Sequence, residues 1–71
     1  MTYIIPDHIT DKQLQNRYTK ARERIGQLLI YLEGRRMSSI GRQAIYAEID
    51  VQEYKKKVCK QAAIDRGIRL H

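Results

Sequence analysis

The residues able to take part in catalysis or to hold a metal are few and widely spaced. Cys59 is the only cysteine among the 71 residues, and His8 and His71 lie near opposite ends of the sequence. This spacing does not match that of a zinc site, and it suggests no nucleophile–base set. The four glycines are scattered, without the spacing of a phosphate-binding loop. We therefore predict that the chain is not an enzyme and has no catalytic residues, metal site or cofactor.

Positive charge is the strongest chemical signal in the sequence. Fourteen Lys and Arg against eight Asp and Glu give a net charge of +6. This balance favours a polyanionic partner, nucleic acid first, although a solvated face of a small helical protein can carry the same charge. The basic residues with few acidic counterparts are predicted to contact phosphates, and they are Arg17, Lys20, Lys55, Lys56, Lys57, Lys60, Arg66 and Arg69. A smaller second candidate comprises Arg35, Arg36 and Arg42.

A capping box and an apolar stripe predict the first helix. Thr10 fits the N-cap position, with Gln13 reaching back to it three residues later. Apolar residues then recur at alternating spacings of four and three, which is typical of a heptad pattern. The stripe comprises Leu14, Tyr18, Ala21, Ile25, Leu28 and Leu32. Gly34 follows where a C-cap belongs, so the helix is predicted over about residues 11–33.

A second stripe of the same spacing predicts the second helix. It comprises Ile40, Ala44, Ala47, Val51, Tyr54 and Val58, and Ala62 continues it approximately. Ser38 or Ser39 can cap its start, and Gly67 supplies a terminator. The predicted helix covers about residues 39–66.

The short connection favours antiparallel packing of the two helices. We therefore predict a single all-α domain over 1–71, folded as a helical hairpin. Residues 1–9 are predicted to form an extended arm and residues 67–71 a C-terminal tail. The predicted layers are Leu32–Ile40, Leu28–Ala44, Ile25–Ala47, Ala21–Val51, Tyr18–Tyr54 and Leu14–Val58. In this register Arg22 and Arg24 flank the stripe of the first helix where Glu48 and Asp50 flank that of the second, and such edge pairs favour the register.

Apolar residues outside both stripes gather at the turn end of the hairpin. They are Leu29, Ile30, Tyr31, Ile45, Tyr46 and Ile49. The arm can reach about 30 Å and a helix of this size spans about 33 Å, so cover from within one chain is barely possible. We predict that these residues form a protein interface. Pairing with a second copy would give a four-helix bundle, and a different protein is the alternative partner.

A helix-turn-helix is a competing interpretation of residues 42–61. The residues from Asp50 to Glu53 resemble a capping box, which would make the basic segment from Tyr54 to Lys60 a recognition helix. Asp50 stands where such a turn normally has glycine, and the apolar stripe continues through it unbroken. This interpretation is therefore the less favoured one.

The predicted plan is similar to that of small helical-hairpin dimers encoded by plasmids and phages, a group that includes an RNA-binding copy-number regulator. The likeness covers length and architecture and no sequence motif. It implies a non-enzymatic accessory or regulatory protein, which here would bind nucleic acid through the basic open end of the hairpin. The alternative function is a protein-binding module or inhibitor that docks on a larger host protein through the apolar turn end.

The sequence also indicates where the protein works. Its first ten residues lack the order of a signal peptide, and no apolar stretch approaches the roughly 18 residues of a membrane span. We expect a cytoplasmic protein without a membrane partner.

Overall fold

The chain folds into two antiparallel helices joined by a short connection. The computed structural model describes residues 3–34 and 36–71, so Arg35 and the first two residues of the predicted arm lie outside the described residues. The first helix, α1, is Asp11–Gly34, and the second, α2, is Ser39–Arg66. The two helices pack against each other along their length, which confirms the predicted helical hairpin.

Local sequence signals determine where both helices begin. The main-chain N–H of Thr10 donates to Gln13 Oε1 at 2.9 Å, and the N–H of Gln13 donates to Thr10 Oγ1 at 3.1 Å. This reciprocal pair is the predicted capping box, and it satisfies two N–H groups that have no partner within the helix. At the start of α2, the hydroxyl of Ser38 accepts a hydrogen bond from the N–H of Gly41 at 3.2 Å. Ser38 is therefore the N-cap, one of the two residues predicted for it.

The end of α2 depends on a glycine. Gly67 has a φ of 70°, in the left-handed region that side chains with a Cβ rarely adopt. In this conformation the N–H of Gly67 donates to the carbonyl of Ile64, and the N–H of Ile68 donates to that of Ala63. The last carbonyls of the helix are thereby satisfied, and the chain turns back toward the hairpin.

The buried face of α2 differs from the predicted stripe. On α1, five of the six predicted stripe residues are buried: Leu14, Tyr18, Ala21, Ile25 and Leu28. On α2, the buried residues are Cys59 and Ala63, each one residue beyond a predicted stripe position. A shift of one residue rotates the face by about 100°. Consequently Tyr54, predicted to be in the core, is exposed, and Cys59, predicted to lie off the stripe, is fully buried.

The predicted layers are wrong because the core extends beyond the two helices. At the open end, the buried cluster is Ile9, Leu14, Tyr18, Cys59 and Ala63, and the half-buried residues packed on it are Tyr3, Ile5, Ala62, Ile68 and Leu70. The arm and the tail thus supply apolar surface that a comparison of two helical stripes leaves out. Cys59 and Ala63 are small, so both segments can approach α2 closely.

Four of the six apolar residues predicted at the turn end are exposed. The exposed ones are Leu29, Ile30, Tyr31 and Tyr46, whereas Ile45 and Ile49 are half-buried between the helices. The described part of the arm packs at the opposite end, which agrees with its limited reach.

Helix α2 continues through residues 50–53 without a turn. The helix-turn-helix interpretation is therefore wrong. The capping-box pattern at Asp50–Glu53 lies inside a helix, where main-chain N–H groups already bond to carbonyls one turn earlier and need no cap.

Candidate nucleic-acid interface

Three of the eight predicted cations meet on one side of the hairpin. We call this side the arm face, because the N-terminal arm packs there. Arg17 and Lys20 come from α1, Lys55 comes from α2, and Tyr3 comes from the arm. Together with Ala21, Arg24 and Gln52 they line a hollow of about 340 Å³. Within the described part of the chain, this lining includes no carboxylate.

The ring of Tyr3 positions two of these cations. The guanidinium carbon of Arg17 lies 5.9 Å from the ring centroid and the Nζ of Lys55 lies 5.4 Å from it, both within the range of cation–π attraction. Arg17 Nη1 also donates to the Tyr3 hydroxyl at 3.5 Å. The place of Tyr3 at this hollow could not be predicted from the sequence. The sequence indicates an extended arm before Pro6, but no pattern shows which side of the hairpin the arm will follow.

Arg17 and Lys20 also line a second hollow next to the first. This hollow has a volume of about 430 Å³, and its other lining residues are Pro6, His8, Ile9, Gln13 and Asn16. Lys20 is exposed, and within residues 3–34 and 36–71 it makes no hydrogen bond or ion pair. The two cations therefore stand between two adjacent depressions, with their charge available to an anion.

An ion pair bounds the arm face on the side toward the turn. Arg24 Nε donates to Glu48 Oε1 at 2.8 Å, and Nη2 donates to Oε2 at 3.3 Å. This confirms one of the predicted edge pairs. The hydrogen bond from Arg24 lowers the pKa of Glu48, and the same bond raises the pKa of Arg24. Because its charge is balanced, Arg24 adds little to the field of the hollow.

The opposite side of the hairpin, which we call the tail face, holds the C-terminal segment. The main-chain N–H of His71 donates to Gln15 Oε1 at 2.9 Å. The main-chain oxygen of His71 accepts from Gln15 Nε2 at 3.1 Å and from Arg22 Nη1 at 2.9 Å. Arg22, the other basic residue of the predicted edge pairs, is therefore bound by the tail rather than by a carboxylate of α2.

Three more predicted cations lie on the tail face. Lys56 Nζ is 6.0 Å from the centroid of the Tyr18 ring, which Arg22 approaches to 5.8 Å. Lys60 and Arg69 border a hollow of about 290 Å³, whose other lining residues are Ala63, Ile64, Ile68 and Leu70. The tail face is thus a mainly apolar depression with cations at its rim.

The remaining two of the eight predicted cations line none of these hollows. Arg66 Nη1 donates to the carbonyl of Ile9 at 2.7 Å and to Asp11 Oδ1 at 3.2 Å, and Nη2 donates to the carbonyl of Asp7 at 3.3 Å. These contacts fasten the end of α2 to the arm, so Arg66 has a structural role. Lys57 is exposed and lies two residues after Lys55, about 200° round the helix from it.

The smaller basic candidate lies near the turn. Arg36 and Arg42 are exposed there. Arg35, the third predicted member, lies outside the described residues.

Cys59 is a core residue rather than a reactive thiol. Its side chain is fully buried, and burial raises the pKa of the thiol, while the hydrogen bond to Tyr3 and the charge of Arg17 oppose this shift. A protonated thiol is a poor nucleophile and a poor metal ligand.

Among the described residues, no group of three or more His, Cys, Asp or Glu side chains lies close enough to hold a metal ion. The described surfaces combine cations with apolar depressions, which can bind anions and apolar groups.

Neither helix, within the part of the chain that the structure describes, is long and apolar enough to cross a membrane. Comparisons with protein-family models, with curated proteins and with solved structures find no significant match to this chain.

Proposed function

We propose that this protein binds nucleic acid through the phosphate backbone, using the arm face of the helical hairpin. The observation that supports this proposal is the convergence of Arg17, Lys20 and Lys55 on one hollow whose described lining includes no carboxylate. The protein would then act without catalysis, as a small accessory or regulatory protein of the kind that phages and plasmids encode, in the cytoplasm.

The arrangement suits phosphates better than base edges. Arg17 offers a planar set of donors and the two lysines offer compact charges, both of which match phosphate oxygens. Tyr3 holds Arg17 and Lys55 in place before any ligand arrives, which reduces the entropy lost on binding. Contacts to phosphates carry no sequence information, so binding should be largely independent of sequence. The tail-face cations Lys56, Lys60 and Arg69 would add secondary contacts.

Charge reversal on the two faces tests this proposal. Lys20→Glu combined with Lys55→Glu reverses the charge of two of the three arm-face cations. Lys60→Glu combined with Arg69→Glu changes the net charge by the same amount on the tail face. We expect the arm-face variant to bind a fixed-length oligonucleotide at least about tenfold more weakly, and the tail-face variant to lose much less. Fluorescence anisotropy with duplex and single-stranded probes measures both, after circular dichroism has shown that helicity is retained.

Two results would contradict the proposal. Equal losses in both variants would mean that net charge alone attracts the nucleic acid, without a site on the arm face. Failure of the wild-type protein to bind any probe at low salt would remove nucleic acid as a partner.

A specific observation favours a second candidate function, the docking of a larger protein on the turn end. Leu29 and Ile30 remain 47% and 69% exposed, and Tyr46 is exposed beside them at the same end. Clustered apolar side chains on the surface of a small protein mark interaction sites. Ile30→Asp is expected to abolish capture of a protein partner that survives nuclease and salt, without changing affinity for oligonucleotides. Retention of such a partner by the Ile30→Asp variant would exclude this surface.

We also propose that the hairpin works as a dimer in a four-helix bundle. A chain of this length buries only about 60% of its unfolded surface, so a second copy would add core that one chain lacks. Large apolar side chains are exposed along α2, among them Ile40 and Val51. Two copies would also double the number of cations that face a nucleic acid.

A further inference from the structure

Helix α2 carries a second apolar stripe, five of whose six residues are exposed. We call it the outer stripe, and it comprises Ile40, Ala44, Ala47, Val51, Tyr54 and Val58. Ile40, Val51 and Tyr54 are 80%, 45% and 44% exposed, the two alanines are exposed, and Val58 is half-buried. These are the positions that would have faced α1 if the hairpin had packed as the sequence predicts. Since α1 contacts the neighbouring face of α2, the outer stripe is left pointing away from the hairpin.

The spacing of the outer stripe is that of a coiled-coil seam. Its residues alternate between steps of four and three over five turns of helix, which keeps them on one side of a pair of supercoiled helices. Ala44 and Ala47 are small enough to let a second helix approach closely, while Val51 and Tyr54 lie at the centre. A helix that needed only one partner would show charged residues at these positions.

We propose that the outer stripe pairs with the outer stripe of a second copy of this chain, with the two α2 helices antiparallel. The charges beside the stripe are the reason for choosing this occupant. Glu48 and Lys55 lie along one edge of the stripe, and Asp50 and Lys57 lie along the other. On each edge the acidic residue precedes the basic residue by one heptad.

Antiparallel pairing centred between Val51 and Tyr54 brings opposite charges together on both edges. Asp50 then faces Lys57 of the second copy, and Glu48 faces Lys55 of the second copy. The two-fold axis repeats each pair, as a self-complementary interface requires. A parallel pair would instead bring Asp50 to Lys55 of the second copy and leave Glu48 and Lys57 opposite uncharged residues. It would form two opposite-charge pairs where antiparallel pairing forms four, so the charges favour the antiparallel arrangement.

The dimer would place both arm faces on the same side. Glu48 and Lys55 border the arm face and the outer stripe alike, so the two surfaces adjoin. A two-fold axis perpendicular to the paired helices keeps the same side of each copy facing the same way. Arg17 and Lys20 of both copies would then lie on one surface for a single nucleic-acid segment, an extension that rests on the proposed function.

Sedimentation equilibrium without nucleic acid tests the pairing. We expect the wild-type protein to dimerise and Val51→Asp to raise the dissociation constant of the dimer at least about tenfold, because two carboxylates would be buried at the two-fold axis. Ile30→Asp is the matched control, since it places the same charge at an exposed apolar position outside the outer stripe. A wild-type protein that stays monomeric throughout the concentration series, or a dimer broken by Ile30→Asp and not by Val51→Asp, would overturn the proposal.

A charge exchange tests the orientation independently of folding. Asp50→Lys alone and Lys57→Asp alone should each weaken the dimer, because each places like charges together twice. The double variant should restore wild-type affinity, since it only reverses the direction of the pairs. A double variant that is as weak as the single variants would exclude antiparallel pairing. Because no nucleic acid is present, these results are independent of whether the arm face binds phosphates.

Discussion

At the scale of single residues, burial decides what Cys59 can do. Burial raises the pKa of its thiol, and Tyr3 and Arg17 offset that shift only in part. The thiol therefore stays protonated at neutral pH and is shielded by the arm. We expect the native protein to react with a thiol reagent only as fast as the hairpin opens, and the denatured protein to react at once. Rapid stoichiometric labelling of the native protein at neutral pH would contradict this packing.

The Arg24–Glu48 ion pair makes a contribution to stability that depends on pH. The hydrogen bond from Arg24 lowers the pKa of Glu48 in the folded state. Such a carboxyl stabilises the fold above its unfolded pKa of about 4.3, and the contribution is lost as pH falls through the lower folded value. We expect Glu48→Gln to reduce the free energy of unfolding at neutral pH and to have little effect in strong acid.

Chemical denaturation at the two pH values measures this difference. Arg24→Gln should remove the same contribution, and the double variant should lose little more than either single variant. An equal effect of Glu48→Gln at both pH values would show that the pair does not act through the charge of the carboxylate.

At the scale of the helices, replacing Gly26 and Gly67 by alanine should change the free energy of unfolding in opposite directions. Gly67 has a positive φ, so Gly67→Ala is expected to lower the free energy of unfolding by about 1 kcal/mol. Gly26 lies inside α1, and an added Cβ there would meet no atom within 4 Å. Gly26→Ala should therefore raise the free energy of unfolding by up to about 1 kcal/mol. Urea denaturation measures both, and a stabilising Gly67→Ala would contradict the left-handed end of α2.

The helix ends could be predicted from the sequence, because caps are local. The residues that form them, such as Thr10 with Gln13 and Gly67 with Ile68, lie within a few positions of one another. The face of α2 that packs on α1 could not be predicted in the same way. Two faces of α2 have heptad spacing, and the sequence favours the more apolar one as the face that packs on α1. The arm and tail instead favour the face that carries Cys59 and Ala63, because these small residues leave room for both segments.

The sequence predicts which residues give the candidate site its positive charge, but it does not predict which of them lie close together. Each of the three arm-face cations was expected to contact phosphates, and so were five others. The positions of the two terminal segments determine which cations lie together. The arm brings Tyr3 to Arg17 and Lys55, and the tail packs on the other side of the hairpin, beside Gln15. These long-range contacts have no sequence signal of their own, because extended segments lack the periodicity that identifies a helix face.

At the scale of the whole molecule, different surfaces lie at the two ends of an elongated body measuring 42 × 24 × 15 Å. The cations of the arm face lie toward the open end, and Leu29 and Ile30 lie at the turn end. Binding of nucleic acid at one end would leave the other end accessible to a protein. Nucleic-acid binding and protein docking therefore remain compatible proposals for one molecule.

The salt dependence of nucleic-acid binding tests the central proposal most directly. Affinity for a duplex oligonucleotide would be measured over a series of salt concentrations for the wild-type protein and for a variant with Lys20→Gln and Lys55→Gln. We expect the wild-type plot of log K against log salt to be linear, with a slope of about −2 to −3 per chain if three phosphates are contacted. The variant should bind more weakly and its slope should be shallower by about 2. An unchanged slope in the variant, or no wild-type binding at low salt, would show that the arm face is not a phosphate-binding surface.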